Sequence, residues 1–157
     1  MKAYHLKFVQ ELPISLPEAW DFFSSPHNLA KITPADMAFT VTSAVDNIEK
    51  MYPGMIITYK VSPMLGIKLN WMTEITQVKE EEYFIDEQRF GPYRFWHHQH
   101  HFKAIPGGVR MEDRLTYGLP LGLLGQAANH LFVAQKLQDI FTFRKQKVEE
   151  LFGKMGA

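Results

Sequence analysis

The eight residues Phe95-Trp96-His97-His98-Gln99-His100-His101-Phe102 hold four histidines and three aromatics. Side chains of a strand alternate between the two faces of its sheet. Read as a strand, the stretch puts Trp96, His98, His100 and Phe102 on one face, and Phe95, His97, Gln99 and His101 on the other. The first face is apolar at both ends and polar in the middle. A dry core has little use for two adjacent imidazoles, and a solvent face has little use for Trp and Phe. A partly wet interior cavity accommodates both. His97 and His101 are then surface residues of the sheet.

The same period of two extends to either side. Tyr93 to Ala104 reads as one strand, set off by Gly91-Pro92 from another over Tyr83 to Phe90. Pro106-Gly107-Gly108 is a hairpin turn. After it Val109, Met111, Asp113, Leu115 and Tyr117 alternate with Arg110, Glu112, Arg114 and Thr116, so the first set faces inward. Upstream, Ile67, Leu69, Trp71, Thr73 and Ile75 alternate with Lys68, Asn70, Met72, Glu74 and Thr76, a long half-buried strand. Lys79 to Glu82 is a solvated hairpin tip. Further strands are expected over Met55 to Ser62, Met37 to Val45 and Ala3 to Glu11. Asp46-Asn47, Tyr52-Pro53-Gly54 and Pro63 to Gly66 supply the connections.

Two short helices interrupt the strands. Ser15 is an N-cap with Glu18 as its capping-box partner, and Pro17 suits the first turn of a helix running to Phe23. Pro26 opens a second, His27 to Ile32. A long helix is expected from Leu123 to Phe152, with a stripe of Leu124, Ala127, Leu131, Ala134, Leu137, Phe141, Val148 and Leu151. Ala128, Phe132 and Ile140 widen the stripe. Its alanines break any strict coiled-coil heptad.

The resulting class is α+β: a seven-stranded curved antiparallel sheet wrapped around a long C-terminal helix, with two short helices between strands one and two. Trp71, Phe90 and Trp96 are the large groups expected in the space between sheet and helix. No repeat or linker divides residues 1–157, so a single domain is expected.

Composition narrows the function classes. Of 157 residues, 46% are apolar and 13% aromatic, which excludes a disordered chain. Lys plus Arg number 17 and Asp plus Glu 17, without the basic excess of a nucleic-acid binder. Cysteine is absent, so disulfides and thiolate metal sites are excluded. The start of the chain lacks the apolar core of a signal peptide, and no apolar run approaches the roughly 20 residues of a membrane span. A soluble cytoplasmic protein, monomer or homodimer, is expected.

The chain resembles the helix-grip superfamily SRPBCC, which includes START lipid-binding domains, birch-pollen-allergen-like proteins and polyketide cyclases. More narrowly it is similar to a bacterial subfamily of ligand-binding domains labelled cell-division-inhibitor-like. The motifs that carry the resemblance are Phe84-Ile85-Asp86-Glu87-Gln88, Gly91-Pro92-Tyr93, Trp96-x-His98-x-His100-x-Phe102, Asp113-x-x-x-Tyr117-x-Leu119-Pro120-Leu121-Gly122, and Ile140-Phe141-x-Phe143-Arg144. The resemblance implies a deep hydrophobic pocket between the sheet and the long helix. It implies no single reaction, because a fold of this kind carries many functions.

Three readings compete for the polar groups of the inner face. Asp113 and His98 or His100 can form a buried polar cluster in a pocket wall, with Gln88 or Arg144 as further partners. A His-Asp pair in an apolar cavity can also enolise or dehydrate a polyketide-like substrate, with a histidine as base and Asp113 as its orienter. His-x-His beside a carboxylate can hold a metal, but the sequence completes no ligand set. Arg144 is expected to pair with Asp113 or Asp86, or to reach solvent. The leading expectation is a binder of a small hydrophobic or aromatic molecule, without metal or cofactor. Its ligand-binding residues are Trp71, Gln88, Phe90, Trp96, His98, His100, Phe102, Asp113, Tyr117, Phe141 and Arg144. An enzyme of the cyclase, aromatase or dehydratase kind is the alternative, with His98, His100 and Asp113 catalytic. A protein-interaction module is a third class, to be recognised by a cavity below about 300 Å³.

Overall fold

In the computed structural model, which describes residues 2–43, 50–62 and 66–156, the alternating stretches are strands. They are β1 (Tyr4–Leu12), β2 (Thr40–Val41), β3 (Met55–Val61), β4 (Leu69–Lys79), β5 (Tyr83–Phe90), β6 (Phe95–Ile105) and β7 (Gly108–Gly118). They form one sheet in the order β1-β7-β6-β5-β4-β3-β2, antiparallel throughout. Strands β2 to β7 are the expected meander, and β1 closes on β7. Helix α1 (Leu16–Phe23) begins as the capping signal requires: the Ser15 hydroxyl accepts from the Glu18 amide at 3.3 Å. Gly122–Ala128 (α2), a π-helical turn over Asn129–Val133 and Ala134–Phe152 (α3) complete the chain. No helix among the described residues is long and apolar enough to cross a membrane.

Several expected elements are shorter or differently wound. Within Met37 to Val45 only Thr40–Val41 pairs as strand. Ala35–Met37 is a 3₁₀ turn, and Ala38 takes a left-handed φ of 45°, which turns the chain before the strand can begin. Ala44, Val45 and the expected turn at Asp46-Asn47 lie outside the described residues, as do residues 63–65 of the expected link to Gly66. The second short helix is a 3₁₀ segment, Pro26–Ile32. Strand β4 begins at Leu69 rather than Ile67, and β6 at Phe95 rather than Tyr93. Both backbone groups of Tyr93 are taken by the Gln88 side chain: Oε1 accepts from its N–H at 3.1 Å and Nε2 donates to its carbonyl at 2.6 Å. Glycine is required in that turn, since a Cβ at position 91 would stand 2.5 Å from Gln88 Oε1.

The largest correction concerns the helical stripe. Leu137, Phe141 and Val148 are buried as expected, but Leu124 (73% exposed), Leu131, Phe132 and Leu151 are exposed. The π-helical turn winds wider than 3.6 residues per turn and rotates everything before it. Gly125, Asn129 and Val133 therefore carry the inward face of this half. At Gly125 the close approach leaves no room for a side chain: a Cβ would lie 2.0 Å from the Pro120 carbonyl oxygen.

The inner side of the sheet divides into two packed regions. One surrounds α1, where Trp20 meets Phe102 edge-on at 5.5 Å among Leu12, Ile57, Phe84, Val109 and Val148. The other joins Leu115 and Tyr117 to Leu137 and Phe141, with Phe8 stacked on Phe141 at 4.0 Å.

Candidate functional site

Between these regions the sheet and α3 enclose a cavity of about 490 Å³. Its wall is mostly apolar: Ile57, Val61, Trp71, Ile75, Met111, Leu137 and Phe141 contribute. Exposed Ile67, Leu121 and Leu124 also line it. The volume lies inside the range of small-molecule sites, above the value that marks an interaction module.

The polar part of the wall is built across three adjacent strands. Pairing sets Asp86 of β5 opposite His98 of β6, and His100 of β6 opposite Asp113 of β7. Side chains in register or on the diagonal meet on one face. His98 Nε2 bonds Asp113 Oδ1 at 3.0 Å, and its Nδ1 approaches Asp86 Oδ2 at 3.3 Å. His100 Nε2 bonds Asp86 Oδ2 at 2.8 Å, and its Nδ1 lies 3.0 Å from Asp113 Oδ1. Each carboxylate thus bridges both imidazoles, whose ring centres are 3.9 Å apart. Trp96 Nε1 donates to the remaining oxygen of Asp86 at 3.2 Å. Phe84 stacks on His100 at 4.1 Å, and Phe141 meets His98 edge-on at 5.5 Å.

Charge at the cluster follows from this matching. His98 is only 4% exposed, and burial alone would push its pKa down. The two carboxylates outweigh burial and raise it to about 9, so the imidazolium persists at neutral pH. Burial likewise acts to raise Asp86 and Asp113, but the facing imidazoles hold both well below the ordinary carboxylate range. Asp86, His98 and His100 each offer one ligand atom within 4.8 Å of the others, the minimum for a divalent ion. An ion there would have to displace the protons that now join these atoms.

Across the cavity, Trp71 Nε1 donates to Thr73 Oγ1 at 3.1 Å, and the Tyr59 hydroxyl shares that oxygen at 2.9 Å. Trp71 meets Trp96 edge-on at 5.2 Å and stacks on Tyr59 at 5.8 Å.

The structure brings Trp71, Trp96, His98, His100, Asp113, Phe141 and Arg144 to the cavity wall. Four expected ligand-binding residues stand elsewhere. Phe90 is 63% exposed: Met72 pairs with Phe90 and Thr73 with Gln88, so Arg89 is bulged out and Phe90 follows Met72 outward. Gln88 is committed to the Tyr93 backbone. Phe102 belongs to the dry packing around Trp20. Tyr117 spends its hydroxyl on Asn129 Oδ1 at 2.7 Å, where the π-helical turn brings that amide inward. Arg144 makes no ion pair with Asp113 or Asp86, because both carboxylates face histidines. On the outer face His97 meets Glu87 at 2.6 Å and His101 meets Gln99 at 2.9 Å.

Asp86 is the site residue that sequence reasoning left off the wall. The signal was available: it lies two residues after Phe84, in the same phase of the strand, where a charge demands a partner. Tyr59 and Thr73 share the inward phases of β3 and β4 in the same way.

No protein-family model matches the chain, and no curated protein matches it by sequence. Solved structures are similar to it nearly end to end. Protein Ms6760 from Mycobacterium smegmatis is 17% identical, with 96% of this chain and 98% of that chain covered and a TM-score of 0.64. TTHA0849 from Thermus thermophilus is 14% identical, with coverage of 94% and 99% and a TM-score of 0.69. Major latex-like protein 151 from Panax ginseng is 13% identical, with coverage of 96% and 97% and a TM-score of 0.69. The chain shares the helix-grip fold of these proteins.

Proposed function

We propose that the protein binds a small hydrophobic or aromatic molecule in the cavity between the sheet and α3. One observation carries the reading: about 490 Å³ of space is walled by aromatic and aliphatic side chains and keeps one internally matched polar cluster. An apolar ligand gains by leaving water for such a wall, and the polar cluster can orient it. Trp71, Trp96 and Phe141 supply flat surface, and the edges of His98 and His100 supply polarity. Resemblance of the motif set to a bacterial ligand-binding subfamily supports the same reading. In this proposal residues 1–157 act as one domain of a cytoplasmic protein. Native mass spectrometry of protein purified from cells tests it. A co-purifying organic molecule that denaturation releases is expected. Bare protein that also fails to take up any apolar compound in titration contradicts it.

A second reading, an enzyme of the cyclase, aromatase or dehydratase kind, draws support from the hydrogen bond between His98 and Asp113 at the cavity wall. An imidazole protonated at neutral pH and held by two carboxylates suits a general acid better than a base. Under this reading His98→Ala and His100→Ala lose turnover of a polyketide-like substrate while the fold persists. Turnover that survives both substitutions contradicts it.

A further inference from the structure

The charged groups of the cavity wall are matched within the protein, with one exception among the described residues. Asp86 and Asp113 face His98 and His100. Trp96 donates to Asp86, while Trp71 and Tyr59 share Thr73. Lys136 lies 2.7 Å from Asp36. Arg144 lines the same cavity, and its buried Nε has no hydrogen-bond partner among the described residues. Its guanidinium carbon lies 5.1 Å from the Phe141 ring centre, and Phe141 in turn meets His98.

A guanidinium does not deprotonate in a protein, so the charge is permanent. Its five donors form a planar fork that fits a carboxylate in two parallel hydrogen bonds. The two carboxylates of the wall, Asp86 and Asp113, are held by imidazoles and do not pair with it. The cavity therefore offers an incoming molecule one open cationic donor beside an apolar wall. We infer that the ligand is an amphipathic organic acid, its carboxylate on Arg144 and its apolar body against Trp71, Ile57 and Leu137. The inference rests on the cavity-binding reading and adds the chemical class of the ligand.

The test uses the full chain and a neutral fluorescent reporter of apolar cavities, N-phenyl-1-naphthylamine. Lauric acid and 1-dodecanol, which share one chain length, then compete for it. Their ratio of displacing concentrations is the readout. In the wild type laurate is expected to displace the reporter at about tenfold lower concentration than dodecanol, the scale of a hydrogen bond to a charged group. In Arg144→Met the ratio is expected to fall to about one, whatever the reporter's own affinity becomes. A far-ultraviolet circular dichroism melt shows whether the variant is folded, and if it is not, the wild-type ratio alone decides. A wild-type ratio near one, or a preference for the acid that survives in folded Arg144→Met, overturns the acid inference while leaving the cavity reading standing. Failure of the wild type to bind the reporter at all overturns both.

Discussion

Phe102 and His98 project from the same face of the same strand, four residues apart, into opposite kinds of surroundings. Phe102 meets Trp20 and Phe84 in a dry region packed by α1. His98 meets two carboxylates at the edge of a cavity. The strand's own alternation does not distinguish them. The neighbouring strands do: Met111 lies across from Phe102 on β7, whereas Asp113 lies across from His100 and reaches His98. One end of the face is held by shape and the other by charge matching, and the two respond to perturbation differently.

Truncation at the dry end has the largest expected effect. Phe102→Ala removes a buried ring from packed surroundings and is expected to cost about 4 kcal/mol of stability, read from denaturant unfolding. A loss below about 1 kcal/mol would mean that Phe102 lines open space instead. At the charged end, Asp113→Asn leaves two imidazoles against one carboxylate. It is expected to cost about 3 kcal/mol near pH 6 and less near pH 9, because the bereft His98 can then shed its proton. A pH-independent cost would place the effect in packing, as at Phe102.

The wild type carries the third expectation. His98 has a folded pKa raised from 6.5 to about 9, so its contribution is complete below pH 6.5 and is lost as pH rises through 9. Asp86 and Asp113 have lowered values, so theirs is complete above their ordinary value of 3.8 and is lost as pH falls below it. Stability is therefore expected to be greatest between about pH 4 and 6.5, and to fall by at most about 3 kcal/mol toward pH 9 through His98. Thermal melts across that range check it, and a flat profile from pH 6 to 9 would show that His98 keeps its ordinary pKa in the fold. Smallest of all, Phe90→Ala is expected to change stability by less than about 0.5 kcal/mol, since the ring is exposed. A loss comparable to that of Phe102 would return Phe90 to the interior.

Much of this was legible in the chain because strands repeat every two residues and their turns are marked by Gly and Pro. The inward phase of β7, and with it Asp113, follows from its polar partners alone. What escaped depends on irregularities that no period reports. A single bulged residue, Arg89, reverses Phe90, and one π-helical turn rotates Leu131 and Phe132 out of the stripe. Asp86 escaped for a different reason. Its strand phase points it inward, but its partner is set by the register of β5 against β6, which places it opposite His98 and is fixed by long-range pairing.

Calorimetric titration of the full chain with N-phenyl-1-naphthylamine at several temperatures tests the cavity most directly. One saturable site per chain is expected, with a negative heat-capacity change from burial of apolar surface. Absence of saturable heat at every temperature, or saturation with no change in heat capacity, would contradict the account.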